Sequence, residues 1–486
     1  MKQQIERPQV ASAGDDAALL VRERAFTNQY SHLYHARFQT LSGQLRSLAA
    51  ERWPEIPVVG RLLDVAGRTD LCIIVGTLFK QSKLRQSAIK FYEKQRTLAG
   101  FRVTSRCIHE DDYLVLEDES ARARLRGAIS VDEYVTGVVV AIRGHGLPNG
   151  DFDALEIMTP GMPAQVPIPL PDPALVGSRV AFVSGLNLGQ PGLDELPIQM
   201  MTDWLAGMLD DAAEAARIIH VIVAGNSVFP SRAVDKQVPS EPVVAASYSS
   251  DQIAYGTRGP EKVLAPVEEL DVLLTEVVGD LGSGDPDAWP NRPYELHAPQ
   301  QPFHRLLLPQ CARYTTYTPA TNPHRETIAG RWIVGSSGQP VDDMTHYSKL
   351  EPLDVLERML QWGHIAPTTP DITGCYPFFG KDPFLLEQAP HVFFTANQAA
   401  PGWRVVEGSE GQRVLCLLVP DFSKTHSIVV ADLRTLASDR CPTKFFRFRS
   451  DDVFSTPLTA AHSIPVRSLS SGGRSDLAEP RRLSVI

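Results

Sequence analysis

The chain has 486 residues, a length for two or three domains, and its 43% hydrophobic content is ordinary for globular cores. Acidic residues outnumber basic ones by 57 to 47, so no overall basic field draws phosphate backbones, which argues against nucleic acid as the main partner. Cysteines 72, 107, 311, 375, 416 and 441 are scattered without a C-x-x-C pair or a recognisable signal peptide, and apolar runs such as residues 134–142 fall short of the ~20 residues that span a bilayer. The expectation is reduced thiols inside the cell, no zinc site and no membrane.

Residues 1–20 mix charge, glycine, proline and alanine without period and read as a disordered end. Residues 21–60 read as a helical segment, because Phe26, Tyr30, Leu33, Tyr34, Phe38, Leu41 and Leu45 recur three and four apart. His32 and His35 stand one turn apart on it, a metal-compatible spacing. No third ligand is near them in sequence, and amphipathic packing accounts for both.

Residues 62–165 change to short β-rich runs at 71–79, 113–118, 125–129, 136–142 and 152–158. Five short strands with one long excursion after the first fit a small Greek-key barrel of the OB type. The excursion carries Lys80, Lys83, Arg85, Lys90, Lys94, Arg96, Arg102 and Arg106 around Phe91, Tyr92 and Phe101, with Glu93 as its acid. That composition suits a single-strand track. The preferred reading is a solvated helix whose aromatics face the barrel.

Proline-rich residues 163–173 form a hinge. Beyond it, residues 179–229 read as strand, loop, helix and strand. The first strand runs into Ser184-Gly185-Leu186-Asn187, where a metallophosphoesterase would carry Asp-x-His; Gly185 takes the Asp position and Asn187 the His position. The second strand, 220–224, runs into Gly225-Asn226, where such an enzyme would carry a bridging Asp. Two dications about 3.5–4 Å apart need anionic oxygens between them, and an amide has none to offer. A helix over 202–217, capped by Thr202 and buried through Leu205, Met208, Leu209, Ala212 and Ala216, implies parallel pairing of the two strands. A second helix covers 266–278, and residues 231–260 read as a polar insertion.

Later blocks sharpen the assignment. They are Pro299-Gln300-Gln301-Pro302-Phe303-His304, Thr321-Asn322-Pro323-His324, Gly330-Arg331-Trp332-Ile333-Val334-Gly335-Ser336, His364-Ile365-Ala366-Pro367, Gly374-Cys375-Tyr376-Pro377-Phe378, the run 391–398 and Val419-Pro420-Asp421-Phe422-Ser423. With Val75-Gly76-Thr77-Leu78-Phe79-Lys80 and residues 114–119, these closely resemble, in order, the small (B) subunits of DNA polymerase delta, of the replicative polymerase B-subunit family.

The resemblance implies an α/β plus all-β chain: an OB-fold barrel at 62–165 and, at 174–437, an inactive calcineurin-like phosphoesterase domain, a mixed β-sandwich flanked by helices. It places vestigial metal-site positions at Gly185, Asn187, Asn226, Asp285, Asn397 and Ala399, with no catalytic residue, metal or cofactor. Asp285, Asp287 and His364 are the only surviving ligand types, and surface roles are the preferred reading for them. The implied function is a non-catalytic accessory subunit of DNA polymerase delta in the nucleus. It would clasp the Cys-rich C-terminal domain of the catalytic subunit and hold a third subunit through the OB side, touching DNA only indirectly or weakly. The alternative is a metal-dependent phosphoesterase or nuclease with an atypical ligand set. Trp289, Tyr294, Phe378, Phe379 and Trp403 are open between subunit contact and core. Residues 438–486 read as a disordered tail, ending in Arg481-Arg482-Leu483-Ser484, a pattern for a basophilic kinase.

Overall fold

The computed structural model describes residues 12–15, 17–21, 27–65, 67–84, 106–127, 129–168, 178–209, 212–229, 261–279, 291–294, 308–314, 317–434, 443–448 and 457–458. Most of the excursion, the insertion at 231–260, Asp285, Asp287, Trp289, the 299–304 block and Ser484 lie outside the described residues.

A short strand β1 (Ser12–Gly14) and helix α1 (Ser31–Arg52) open the chain. The barrel follows: β2 (Cys72–Gln81), β3 (Tyr113–Glu117), β4 (Arg122–Gly127), β5 (Val139–Gly146) and β6 (Phe152–Met158). They neighbour one another in the order β2-β3-β4-β6-β5, with β5 returning to β2; only β4 and β6 pair in parallel. Alternation makes the barrel, since Ile74, Leu78, Leu114, Leu116, Leu125 and Phe152 fill its inside. Helix α1 lays Leu41, Leu45 and Ala49 across Ile73, Val75, Val139 and Ala141 on the outside of β2 and β5.

The second module runs β7 (Arg179–Val183), α2 (Leu196–Leu205), α3 (Ala212–Ala215), β8 (Ile218–Ala224), α4 (Glu261–Gly279), β9 (Asn291–Tyr294), β10 (His324–Ile328) and β11 (Arg331–Ser336). It continues through α5 (Gln339–Tyr347), α6 (Pro352–Trp362), β12 (Val392–Gln398), β13 (Gly402–Glu407), β14 (Arg413–Pro420), α7 (Phe422–Thr425), β15 (Ser427–Asp432), β16 (Thr443–Arg447) and β17 (Pro457–Leu458). Two mixed six-stranded sheets result, β1-β10-β11-β12-β14-β13 and β17-β16-β15-β7-β8-β9. Between them lie Phe182 and Ile222 from one and Ile333, Phe394 and Leu417 from the other. Helices α2 and α4 cover the outer face of the second sheet, and α5 and α6 that of the first. Strands β7 and β8 are buried along their whole length and pair in parallel, as their unbroken apolar runs require.

Three readings are corrected. The helix expected over 202–217 is instead α2 and the single turn α3. Pro197 sets the start of α2 and Gly207, at φ +77°, lies just past its end, so Met208 and Leu209 are exposed. Thr202 is inside the helix and donates to Ile198 O at 3.0 Å, so it is no cap. Residues 1–20 are not all disordered: β1 pairs antiparallel with residues 326–328 through its backbone, which composition does not reveal, and Leu19 is buried. The presumed tail from 438 supplies β16, which pairs with β15 and buries Phe445 on one face and Phe446 on the other.

Candidate functional site

The ends of β7, β8, β12 and β14 lie side by side, the place where open α/β sheets present ligand sites. Backbone bonds lock the loops together: Gly185 N–H donates to Gly225 O, Asn187 N–H to Asn226 O, and Asp421 N–H to Gln398 O, each within 2.9 Å. Asn187, Asn226 and Asn397 all adopt left-handed backbone, at φ 50°, 52° and 56°, a conformation asparagine tolerates better than most residues.

The side chains converge on Asp421, a buried carboxylate. Its Oδ1 accepts from Ser423 Oγ at 2.7 Å and from Asn187 Nδ2 at 3.3 Å, and its Oδ2 faces Lys424 Nζ at 2.6 Å. Asn397 Nδ2 donates to Ser337 O at 2.7 Å, while its backbone N–H reaches Ser184 Oγ at 3.0 Å. A Cβ on Gly185 would stand 2.6 Å from Asp421 Oδ1 and 3.0 Å from Asn397 Oδ1, so glycine is the residue this corner admits.

The structure thus brings Gly185, Asn187 and Asn397 together around Asp421. Asn226 contributes its backbone carbonyl with its side chain exposed, and Ala399 is exposed past the end of β12. Asp421, Ser423 and Lys424 have no role assigned from the sequence, although the Val419–Ser423 block is visible there. The cleft's described side chains offer one carboxylate, already matched by an ammonium, among neutral amides and hydroxyls. That donor set does not fit a pair of divalent ions, which need bridging anionic oxygens. Among the described residues no group of three or more His, Cys, Asp or Glu is arranged to hold a metal.

His364 is far from a surface role. It is buried just past α6, where Nδ1 accepts from Ala366 N–H at 3.0 Å and Nε2 faces Asp382 Oδ2 at 2.9 Å. Both ring nitrogens are engaged, so neither lone pair is left for a metal. His35 pairs with Glu119 at 2.8 Å, and the His32 ring packs on Phe379 at 4.4 Å between centroids. Phe378 is core, whereas Phe379 is 67% exposed and Trp403 is partly buried.

The two modules share one core, running from the barrel interior through Trp362 and Phe384 to the outer face of the first sheet. Buried Lys80, grouped from the sequence with the solvated basic excursion, instead donates to Val131 O and Tyr347 O at 2.8 and 2.7 Å and joins barrel to sandwich. Burial pushes its ammonium below the ordinary value.

A five-stranded OB-type barrel fused through a common core to a helix-flanked pair of mixed sheets is a two-module class of protein. Residues 29–157 match the family model described as DNA polymerase delta subunit OB-fold domain, and residues 180–402 match that of the B-type subunit of DNA polymerases alpha and epsilon. The chain is 35% identical over 439 residues to the DNA polymerase delta small subunit of Oryza sativa subsp. japonica, covering 89% of this chain and 97% of that one. It is 37% identical to the Arabidopsis thaliana small subunit, with 87% and 92% covered, and 32% identical to DNA polymerase delta subunit 2 of Drosophila melanogaster, with 85% and 92% covered. The chain belongs to the DNA polymerase delta small-subunit family.

Proposed function

We propose that the chain is a non-catalytic accessory subunit of DNA polymerase delta, acting in the nucleus in replication and repair synthesis. In this reading the second module is a phosphoesterase-type frame without its metal pair, kept as a scaffold. It clasps the Cys-rich C-terminal domain of the catalytic subunit, and the OB side holds a third subunit. The observation that carries this is the strand-end cleft, where Asn187, Ser423 and Lys424 engage Asp421, leaving no carboxylate pair for two dications among the described residues. The shared core supports it too, since a bridge between subunits gains from two modules that do not move apart.

The test is a pull-down from nuclear extract with the purified chain, paired with a manganese-supplemented nuclease assay on the same preparation. The expected result is recovery of a large polymerase subunit with no hydrolysis above a denatured control. Hydrolysis that survives further purification and falls in Asp285→Ala or Asp421→Ala would replace the scaffold with a metal-dependent phosphoesterase.

A further inference from the structure

Helices α2 and α4 pack against each other on the outer face of the second sheet, burying Ile198, Met201 and Leu205 from one and Leu270, Leu273 and Leu274 from the other. The helical repeat leaves each with an outward stripe: Leu196, Met200 and Asp203 on α2, and Glu268, Glu269, Val272 and Glu276 on α4. Leu196 is 51% exposed and Val272 44%, and Met200 is half-buried against the same core. Apolar side chains facing water on two adjoining helices make a strip of the kind a partner helix covers.

The rim of this strip is acidic and lacks counter-charge. Residues 191–206 and 265–276 contain no lysine, arginine or histidine, and Glu195, Asp203, Glu268, Glu269 and Glu276 form no ion pair among the described residues. Asp271, on the inward side of α4, differs from them: it accepts from the Gln310 and Cys311 N–H groups, each at 2.9 Å. Glu195, just before α2, lies close enough to Glu269 on α4 for its charge, added to burial, to push the Glu269 carboxyl up. Two carboxylates facing each other across a groove disfavour one another's ionised form, and a cation placed between them removes that cost. The same field repels phosphate-bearing partners, whether nucleic acid or anionic lipid, and favours a cationic protein surface.

We propose that the α2–α4 groove docks a basic amphipathic helix of another protein, its apolar stripe on Leu196, Met200 and Val272 and its lysines or arginines over Glu195 and Glu269. An apolar centre inside a rim of complementary charge gives such a contact both affinity and orientation. The inference does not rest on which complex the chain serves. Failure to recover a polymerase subunit leaves it standing, and failure of the groove leaves the accessory-subunit reading standing.

Fluorescence anisotropy of a labelled peptide of leucine and lysine, patterned at the helical repeat and titrated with the full chain, tests it. Binding is expected at low salt and should weaken as salt rises. The double variant Glu195→Gln, Glu269→Gln should weaken it by roughly ten-fold, and Leu196→Ser with Val272→Ser by roughly as much. These side chains are partly or largely exposed, so each double variant should melt with the parent, and Glu269→Gln alone should melt no lower because a like-charge contact is removed. The control double variant Glu55→Gln, Glu387→Gln, on other elements, should bind as the parent does. A peptide of the same composition scrambled to lose its apolar face should bind more weakly than the patterned one. No binding at low salt would overturn the proposal, as would equal affinity for the scrambled peptide. Equal weakening in the control variant would mean that net charge alone attracts the peptide, and the groove would then have no part in it. Unaltered affinity in both groove variants would place the contact elsewhere, and the proposal falls.

Discussion

Arg37 and Asp382, 345 residues apart in sequence, meet in an ion pair at 2.7 Å with both side chains buried. The same guanidinium donates to Pro367 O and Thr369 O, each at 2.7 Å, so one side chain on α1 holds the loop between α6 and β12 against the barrel. A buried pair in which all three guanidinium nitrogens donate is far costlier to halve than to replace whole. Asp382→Ala, which strands the guanidinium, is expected to lower unfolding stability by about 3–5 kcal/mol. Arg37→Leu with Asp382→Leu should be less destabilising than the sum of the single changes. Urea unfolding of the two single variants and the double variant checks this; strict additivity would mean the pair is not coupled.

The pair sets a pH dependence through His364. Burial, followed by the Arg37 charge, pushes His364 down to about 4 from its ordinary 6.5, outweighing the opposing pull of Asp382. Burial alone would raise the Asp382 carboxyl, but His364 and Arg37 hold it well below the usual carboxylate range. Between pH 6.5 and about 4 the unfolded chain therefore carries a proton on this imidazole that the folded chain lacks. Stability is flat above that window with respect to His364 and falls as pH drops through it, by on the order of 3 kcal/mol. Below the ordinary carboxylate value Asp382 adds a further loss of the same sign. His346 and His391 are also lowered by burial and act in the same direction, so a residual slope remains without His364. In His364→Gln the urea midpoint should vary less with pH between 6.5 and 4 than in the parent; parallel curves would rule out His364 as the titrating group.

Much of the fold was legible because apolar periodicity carried it. The unbroken runs of β7 and β8 could pack only as a doubly covered parallel pair, and the outlines of all five barrel strands stood in the sequence. Among what escaped were structures made by backbone or by polar residues. Residues Ser12–Gly14 join a sheet through peptide groups alone. Strand β4 begins three residues before its apolar signal does, because Arg122, Arg124 and Arg126 alternate with Ala123 and Leu125 and blunt that signal. The strand-end cleft was half legible. Gly185, Asn187 and Asn397 could be singled out from the sequence, whereas the Asp421–Lys424 pair that neutralises the corner arises from a three-residue spacing at the start of α7 that appears in many helices.

The crowding at Gly185 separates a steric effect from an electrostatic one. Any Cβ there must fit a φ of +69° and push against Asp421, so Gly185→Ala is expected to cost about 1–3 kcal/mol. Gly185→Asp adds a second carboxylate beside a buried one, and like charges at that range oppose ionisation and folding alike. Its melting temperature in chelator should fall below that of Gly185→Ala. Equal melting temperatures would show that steric strain alone guards the corner.

Strand β16 makes the contribution of residues beyond β15 to the folded core testable. Phe446 and Phe448 on and just past β16 are buried, and their rings lie 4.6 and 6.0 Å from that of Trp204 on α2. The strand also pairs with five residues of β15, from Ser427 to Ala431. A chain ending at residue 437 loses both, exposing an apolar sheet edge and one side of the Trp204 indole. A chain ending at residue 458 keeps them. Phe446→Ala alone is expected to cost about 3–5 kcal/mol, the usual loss for deleting a buried aromatic ring. The 437 truncation should therefore be recovered in aggregated form or melt well below the 458 truncation in calorimetry. If the two truncations melt together, β16 contributes nothing to the folded core, and the sheet ends at β15.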